Sequence, residues 1–160
     1  MTDIQFRPVT PEDFTLLRGW LADPEVIRWF GTEAFLDQIS GYLRGTAVRP
    51  LIASAPTGPF AYIHHCRVHA FDDHPLAFLP DGARGIDCFI GPDAARDRGL
   101  GTAMVQALGD QLLAAGVPAL GIDPVVENLR AIACYRRAGF EPHSQRVTDE
   151  GLSQLMTRWP

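Results

Sequence analysis

Residues Ile4-Gln5-Phe6-Arg7-Pro8-Val9 alternate apolar and polar positions, the period-two pattern of a half-buried strand. Thr10-Pro11-Glu12-Asp13 then reads as a helix start, with Thr10 as cap, Pro11 at the first helical position and Asp13 completing a capping box. Phe14, Leu17 and Leu21 fall on one face of that helix. Asp23-Pro24-Glu25 repeats the start signal ahead of Val26, Ile27 and Phe30, Gly31 stops the helix, and Thr32 begins another that runs to about Leu43.

The period changes in the middle of the chain. Pro50 to Ala55, a Pro-Thr-Gly-Pro turn at 56–59 and Phe60 to Val68 predict a hairpin. The stretch from His69 to Gly85 is polar and proline-containing, and a loop of that length inside a compact domain predicts a functional role, here a rim for a substrate. Arg84 to Ile90 is a strand broken by Gly91-Pro92. Thr102 to Ala115 is a helix with Met104, Val105, Leu108 and Leu112 on one face and Gly116 as its stop. Ala119 to Asp123 is a short strand, Asn128 caps a helix running to about Ala138 and closed by Gly139, and Phe140 to Val147 with Leu152 to Trp159 form a last hairpin. This order predicts a mixed α/β (α+β) fold: a mostly antiparallel central sheet of six or seven strands flanked by helices on both faces. No internal repeat or composition break divides it, so a single domain over 1–160 is expected.

Composition narrows the chemistry. A chain of 160 residues, 46% hydrophobic, is long enough to bury a core without disulfide or metal staples. A net charge of −5 gives no basic footprint for nucleic acid, and no apolar run is long enough to span a membrane. The opening Met-Thr-Asp-Ile-Gln-Phe-Arg has no basic start with an apolar stretch behind it, so a cytoplasmic setting is expected. Cys66, Cys88 and Cys134 are odd in number and far apart, and read as reduced, buried small hydrophobes. All 14 basic residues are arginine, which excludes a pyridoxal Schiff-base lysine and a P-loop lysine. His64, His65, Cys66 and His69 suggest zinc only until strand geometry is applied. His65 and His69 share one face and His64 and Cys66 the other, so no metal site is expected.

The chemistry sits between a strand and a helix. Ile86 to Pro92 lead into Arg96-Asp97-Arg98-Gly99-Leu100-Gly101-Thr102, where two glycines let backbone approach a ligand and the helix start favours a phosphate. The dinucleotide pattern Gly-x-Gly-x-x-Gly fails at Met104. Asp123-Pro124 then leads to Asn128, Ala131, Tyr135, Gly139 and Phe140. Arg96, Gly99 and Gly101 followed by this second set resemble the GNAT N-acetyltransferases. Trp20-Leu21-x-x-Pro24-x-Val26, Arg84-Gly85-Ile86-Asp87 and the stretch from Asp123 to Tyr135 resemble, within them, the aminoglycoside 6'-N-acetyltransferases over about Leu16 to Phe140.

That resemblance implies acetyl-CoA as acyl donor, a small-molecule amine as acceptor, no metal, and a monomer or homodimer. Backbone amides of Arg98, Gly99, Leu100, Gly101 and Thr102 would hold the pyrophosphate beside Arg96. Phe89 and Ile90 would receive the pantetheine, and Asn128, Ala131 and Tyr135 would complete the cofactor site. Tyr135 would protonate the departing thiolate, unless it is a core tyrosine beside Ile132, and Asn128 would contact the cofactor, cap its helix, or do both. Asp87 and Asp123, acids within or at the end of apolar strands, would bind or deprotonate the amine, the structural alternative being a cap or a surface ion pair. Trp29, Phe30, Asp72 and Asp73 would line the acceptor site. The loop departs from the family's acidic, tryptophan-rich pattern, since Leu76, Phe78 and Leu79 stand there, which weakens the attraction for a polycation. Alternatives are acetylation of a siderophore precursor or a peptide amine, and a non-catalytic acyl-CoA-binding module.

Overall fold

A computed structural model describes residues 2–160. In chain order the elements are β1 (Gln5–Pro8), α1 (Phe14–Trp20), α2 (Pro24–Trp29), α3 (Phe35–Leu43), β2 (Val48–Ala55), β3 (Gly58–Arg67), β4 (Arg84–Ile90), α4 (Leu100–Ala114), β5 (Leu120–Ile122), α5 (Leu129–Arg137), β6 (Glu141–Thr148) and β7 (Gly151–Arg158). The strands form a seven-stranded sheet ordered β1-β2-β3-β4-β5-β7-β6. Strand β4 runs parallel to β5, while β1 with β2, β5 with β7 and β6 with β7 are antiparallel. The mixed, mostly antiparallel sheet expected from the sequence is the one found. Among the described residues no helix is long and apolar enough to cross a membrane. Contacts group the chain into two compact units, residues 1–65 with 88–101 and residues 66–87 with 102–160.

In the first unit, polar residues fix where the helices begin. The Asp13 carboxylate accepts the Thr10 N–H at 2.8 Å and both ends of the Arg7 guanidinium at 2.7 and 2.8 Å, so a buried charge is fully partnered. Asp23 accepts the Glu25 N–H at 2.9 Å and opens α2. Helix α3 begins three residues later than Thr32 because Phe35, Leu36 and Asp37 bond to carbonyls three residues back, a tight turn preceding the α-ladder. Leu17, Trp20, Leu21, Val26, Leu36 and Ile39 pack on Ile52, Tyr62 and Phe89. Ile27, expected to join them, is 44% exposed. His64 is buried with its Nδ1 2.9 Å from the Tyr62 hydroxyl, and burial holds its imidazole down to about 4, neutral inside the core.

In the second unit the stretch after β3, polar in composition and largely exposed, also has an apolar inner side. Leu76, Leu79 and Ala83 turn inward onto Val68, Ala119 and Leu155. Two glycines make room for them. A Cβ on Gly121 would sit 2.7 Å from Leu76 Cδ1, and one on Gly85 would sit 3.1 Å from Cys66 Sγ. Gly116 and Gly139 end α4 and α5 with φ of +94° and +97°, the left-handed stop that glycine adopts most readily.

Replacing Gly121 by Ala forces Leu76 off its seat and should cost about 1–3 kcal/mol, a fall of several degrees in Tm. Gly19→Ala, on the exposed side of α1 with nothing within 4 Å, should instead raise stability by roughly 0.5–1 kcal/mol. Calorimetric scans of the two variants check both signs.

Candidate active site

Beyond Ile90, the turn Pro92 to Gly99 delivers the chain to α4. Asp97 and Gly99 take φ of 58° and 74°, two left-handed residues separated only by Arg98. A Cβ built on Gly99 meets nothing within 4 Å, so backbone angle and not crowding selects glycine here, and the space above it is open. The first four N–H groups of α4 have no partner inside the helix and carry its positive dipole end. This donor set, with exposed Arg98 beside it, fits a diphosphate.

Arg96 is differently engaged. Its side chain is only 9% exposed, lies 3.2 Å from Asp23 and 3.2 Å from Asp93, and donates to the carbonyls of Gly91 at 3.0 Å and Ile90 at 3.4 Å. Phe89 is buried in the aromatic core, edge-on to Phe30 at 4.7 Å, so backbone is what it has to offer a cofactor. Thr102 Oγ1 donates to Cys134 Sγ at 3.4 Å. Asn128 Oδ1 accepts the Ala131 N–H at 3.2 Å, which uses its oxygen as a cap and leaves its amide N–H groups as donors. Tyr135 is 8% exposed and Ala131 half-buried on the same helix.

The acids come from a repeated tripeptide. Gly85-Ile86-Asp87 ends one strand's pairing and Gly121-Ile122-Asp123 ends the other's. The parallel register sets Arg84 beside Leu120 and Gly85 beside Gly121; carried two residues further, it aligns Asp87 with Asp123. Alternation along β4 puts Asp87 on the face of Gly85, Asp123 stands one residue past the end of β5, and Ile86 and Ile122 are buried. Asp87 is exposed and Asp123 half-buried. Burial, reinforced by the negative Glu150, pushes the Asp123 carboxyl up to about 6. The buried Cys66 thiol is pushed up to about 11, chiefly by burial, with Asp123 and Asp87 both adding to the rise. The two carboxylates therefore act on one neighbourhood, and the Cys66 thiol beside them stays protonated.

Sequence reasoning missed Glu150, which read only as part of a hairpin turn. Its relation to Asp123 depends on β7 pairing beside β5, extended by the Val125–Ser153 bridge and the Gln154 N–H to the Pro124 carbonyl at 2.8 Å. The acceptor candidates divide. Trp29 is half-buried, with the Arg28 guanidinium 4.4 Å over its ring, whereas Phe30 packs against Phe35 and Phe89 at 4.7 Å each. Asp72 is exposed, but Asp73 is ion-paired to Arg146 at 2.9 Å. Phe78, 47% exposed, stacks on His143 at 4.2 Å. Among the described residues no group of three or more His, Cys, Asp or Glu is placed to hold a metal.

An acid held above its usual range binds more protons folded than unfolded, so Asp123 lowers stability as pH rises from about 4 through about 6. Asp123→Asn removes a penalty of about 3 kcal/mol and should therefore raise Tm at pH 7–8 by about 6–12 °C and leave it unchanged at pH 4, as melting curves at the two pH values would record.

Residues 10–148 match the family of acetyltransferase (GNAT) domains. Among curated proteins, the chain is 30% identical over 165 aligned residues to aminoglycoside N(6')-acetyltransferase type 1 of Klebsiella pneumoniae, covering 97% of this chain and 82% of that one. It is 38% identical over 78 residues to a kanamycin resistance protein of Rhizobium radiobacter, covering 48% of this chain and 72% of that one. Among solved structures, it aligns with aminoglycoside acetyltransferase AAC(6')-Ib in complex with coenzyme A and kanamycin at a TM-score of 0.88 and 29% identity, over 98% of this chain and 95% of that one.

Proposed function

Because the chain belongs to the acetyltransferase (GNAT) family and is an acetyl-CoA-dependent N-acetyltransferase, we propose that its acceptor is the 6'-amine of an aminoglycoside, with Asp87, Asp123 and Tyr135 as the catalytic groups. The observation that carries the reading is Asp123: a half-buried carboxyl raised to about 6, which shares the Cys66 neighbourhood with Asp87 and has Glu150 as a charged neighbour. The relatives' names support the acceptor class, and three carboxylates in one neighbourhood suit a substrate that carries several ammonium groups. The enzyme would work in the cytoplasm as a monomer or homodimer.

Acetyl-CoA supplies an acetyl group already activated as a thioester. The amides of Arg98 to Thr102 hold its diphosphate with donors that need no reorganisation, and Arg98 adds charge. Strand β4 runs on to Ile90 after its pairing with β5 ends at Gly85, so its backbone from Phe89 to Ile90 receives the pantetheine amides as a strand would. Asp87 holds the acceptor ammonium by a charge-assisted hydrogen bond. Asp123 takes the proton. Its rise of about 2 units lowers the cost of that transfer by about 3 kcal/mol relative to an ordinary aspartate. The Tyr135 hydroxyl, of a type that keeps its proton at neutral pH, gives that proton to the departing sulfur.

Thiol release from acetyl-CoA with kanamycin as acceptor tests the roles. Tyr135→Phe should lower kcat by roughly 10²–10⁴ and keep CoA affinity. The kcat/KM of the wild type should fall tenfold per unit below about pH 6, and Asp123→Asn should lose that limb along with most of the rate. An unchanged acid limb in Asp123→Asn would remove it as the base.

One observation favours a second reading. With Asp73 engaged by Arg146, and Leu76 and Leu79 in the core, the segment after β3 contributes less negative charge than its composition suggests. A less cationic amine, such as a siderophore precursor or a peptide amine, would then be the acceptor. Turnover on such amines with none on kanamycin, neomycin or tobramycin would decide for it.

A further inference from the structure

The Arg96 side chain belongs to a set of contacts lying wholly within the first unit. One guanidinium nitrogen, Nη2, donates to the Gly91 carbonyl at 3.0 Å and the Ile90 carbonyl at 3.4 Å, and lies 3.2 Å from Asp23 Oδ2. The other, Nη1, is 3.2 Å from Asp93 Oδ1. The other oxygen of Asp23 is the cap of α2, accepting the Glu25 N–H at 2.9 Å. A single planar fork thus joins the end of β4 to the first turn of α2, a geometry that lysine could not reproduce.

Helix α2 has 6 residues, too few to hold itself in water, so its ends decide its placement. At its far end Phe30 packs edge-on against Phe35 and Phe89. At its near end, the Asp23–Arg96 pair is the charged contact. Trp29 is its last residue and lies about 9 Å along the axis from the cap.

We propose that Arg96 is a positioning residue for the acceptor: it latches the start of α2 to the end of β4 and so sets the Trp29 ring, and its charge does not serve the diphosphate of acetyl-CoA. The proposal rests on the reading that Trp29 lines the acceptor site. It reassigns Arg96, which the family resemblance put beside the pyrophosphate, and it adds to Asp23, the cap of α2, a part in the acceptor site.

Asp23→Asn separates the latch from the cap, since Asn caps as well as Asp but brings no charge. Arg96→Met removes the fork. Three readouts apply: hydrogen exchange of the peptide 24–31, CoA affinity by calorimetry without acceptor, and KM for kanamycin. In both variants exchange over 24–31 should quicken about fivefold or more, and the double variant should add nothing to the single ones. CoA affinity should stay within about twofold in Asp23→Asn, while KM for kanamycin rises about five- to tenfold with kcat changed less.

Unchanged exchange in both variants would overturn the latch. CoA affinity weakened about tenfold or more in Arg96→Met, with Asp23→Asn silent, would return Arg96 to the diphosphate. Faster exchange with an unchanged kanamycin KM would reduce the pair to a structural role. If the wild type does not acetylate kanamycin, the aminoglycoside reading fails by itself, and exchange with CoA affinity still decides whether the latch exists.

Discussion

Strands β4 and β5 pair for only two residues, and the chemistry depends on that brevity. Arg84 with Leu120 and Gly85 with Gly121 complete the ladder, and the two glycines lie side by side because Leu76 presses on that face. Nothing larger than hydrogen fits at Gly121 without moving it. Two positions beyond each of these glycines stands an aspartate. Asp123 is half-buried, and the burial, more than any neighbour, raises its carboxyl to about 6. The end of the ladder also leaves β4 to run on to Ile90 beyond its pairing with β5.

Aspartates of this chain show how environment sorts one residue type into different work. Asp13, bonded to Arg7 and the Thr10 amide, and Asp23, bonded to the Glu25 amide and Arg96, are both held below the usual carboxylate range. Each fixes a helix start. Asp123 is pushed the opposite way, with Glu150 as its charged neighbour where the others have an arginine. Groups whose environments drive them apart in this manner divide structural from catalytic duty. The cost of the raised Asp123 carboxyl is stability, lost as pH rises through about 6.

Much of this was legible in the sequence. Strand β4 falls on Arg84–Ile90 as the pattern required, and Asp23, Asn128, Gly116 and Gly139 begin or end helices where local chemistry put them. Contacts made at long range were not legible. Leu76 and Leu79 sit among Asp72, Asp73, His74 and Pro80, and the surface that buries them is made by glycines separated by 36 residues of chain. Arg96 carries a motif position, but Asp23, 73 residues earlier, holds its guanidinium. Glu150 meets Asp123 only through the pairing of β7 with β5.

In the proposed mechanism the fold raises one carboxyl, Asp123, and that carboxyl serves as the base at neutral pH. Titrating side-chain carboxyl carbons by NMR, with Asp123 assigned from the resonance lost in Asp123→Asn, tests it without substrate or cofactor. A midpoint near 6 that moves down in Glu150→Gln is the predicted result. A midpoint near the ordinary aspartate value of about 3.9, indifferent to Glu150, would contradict it.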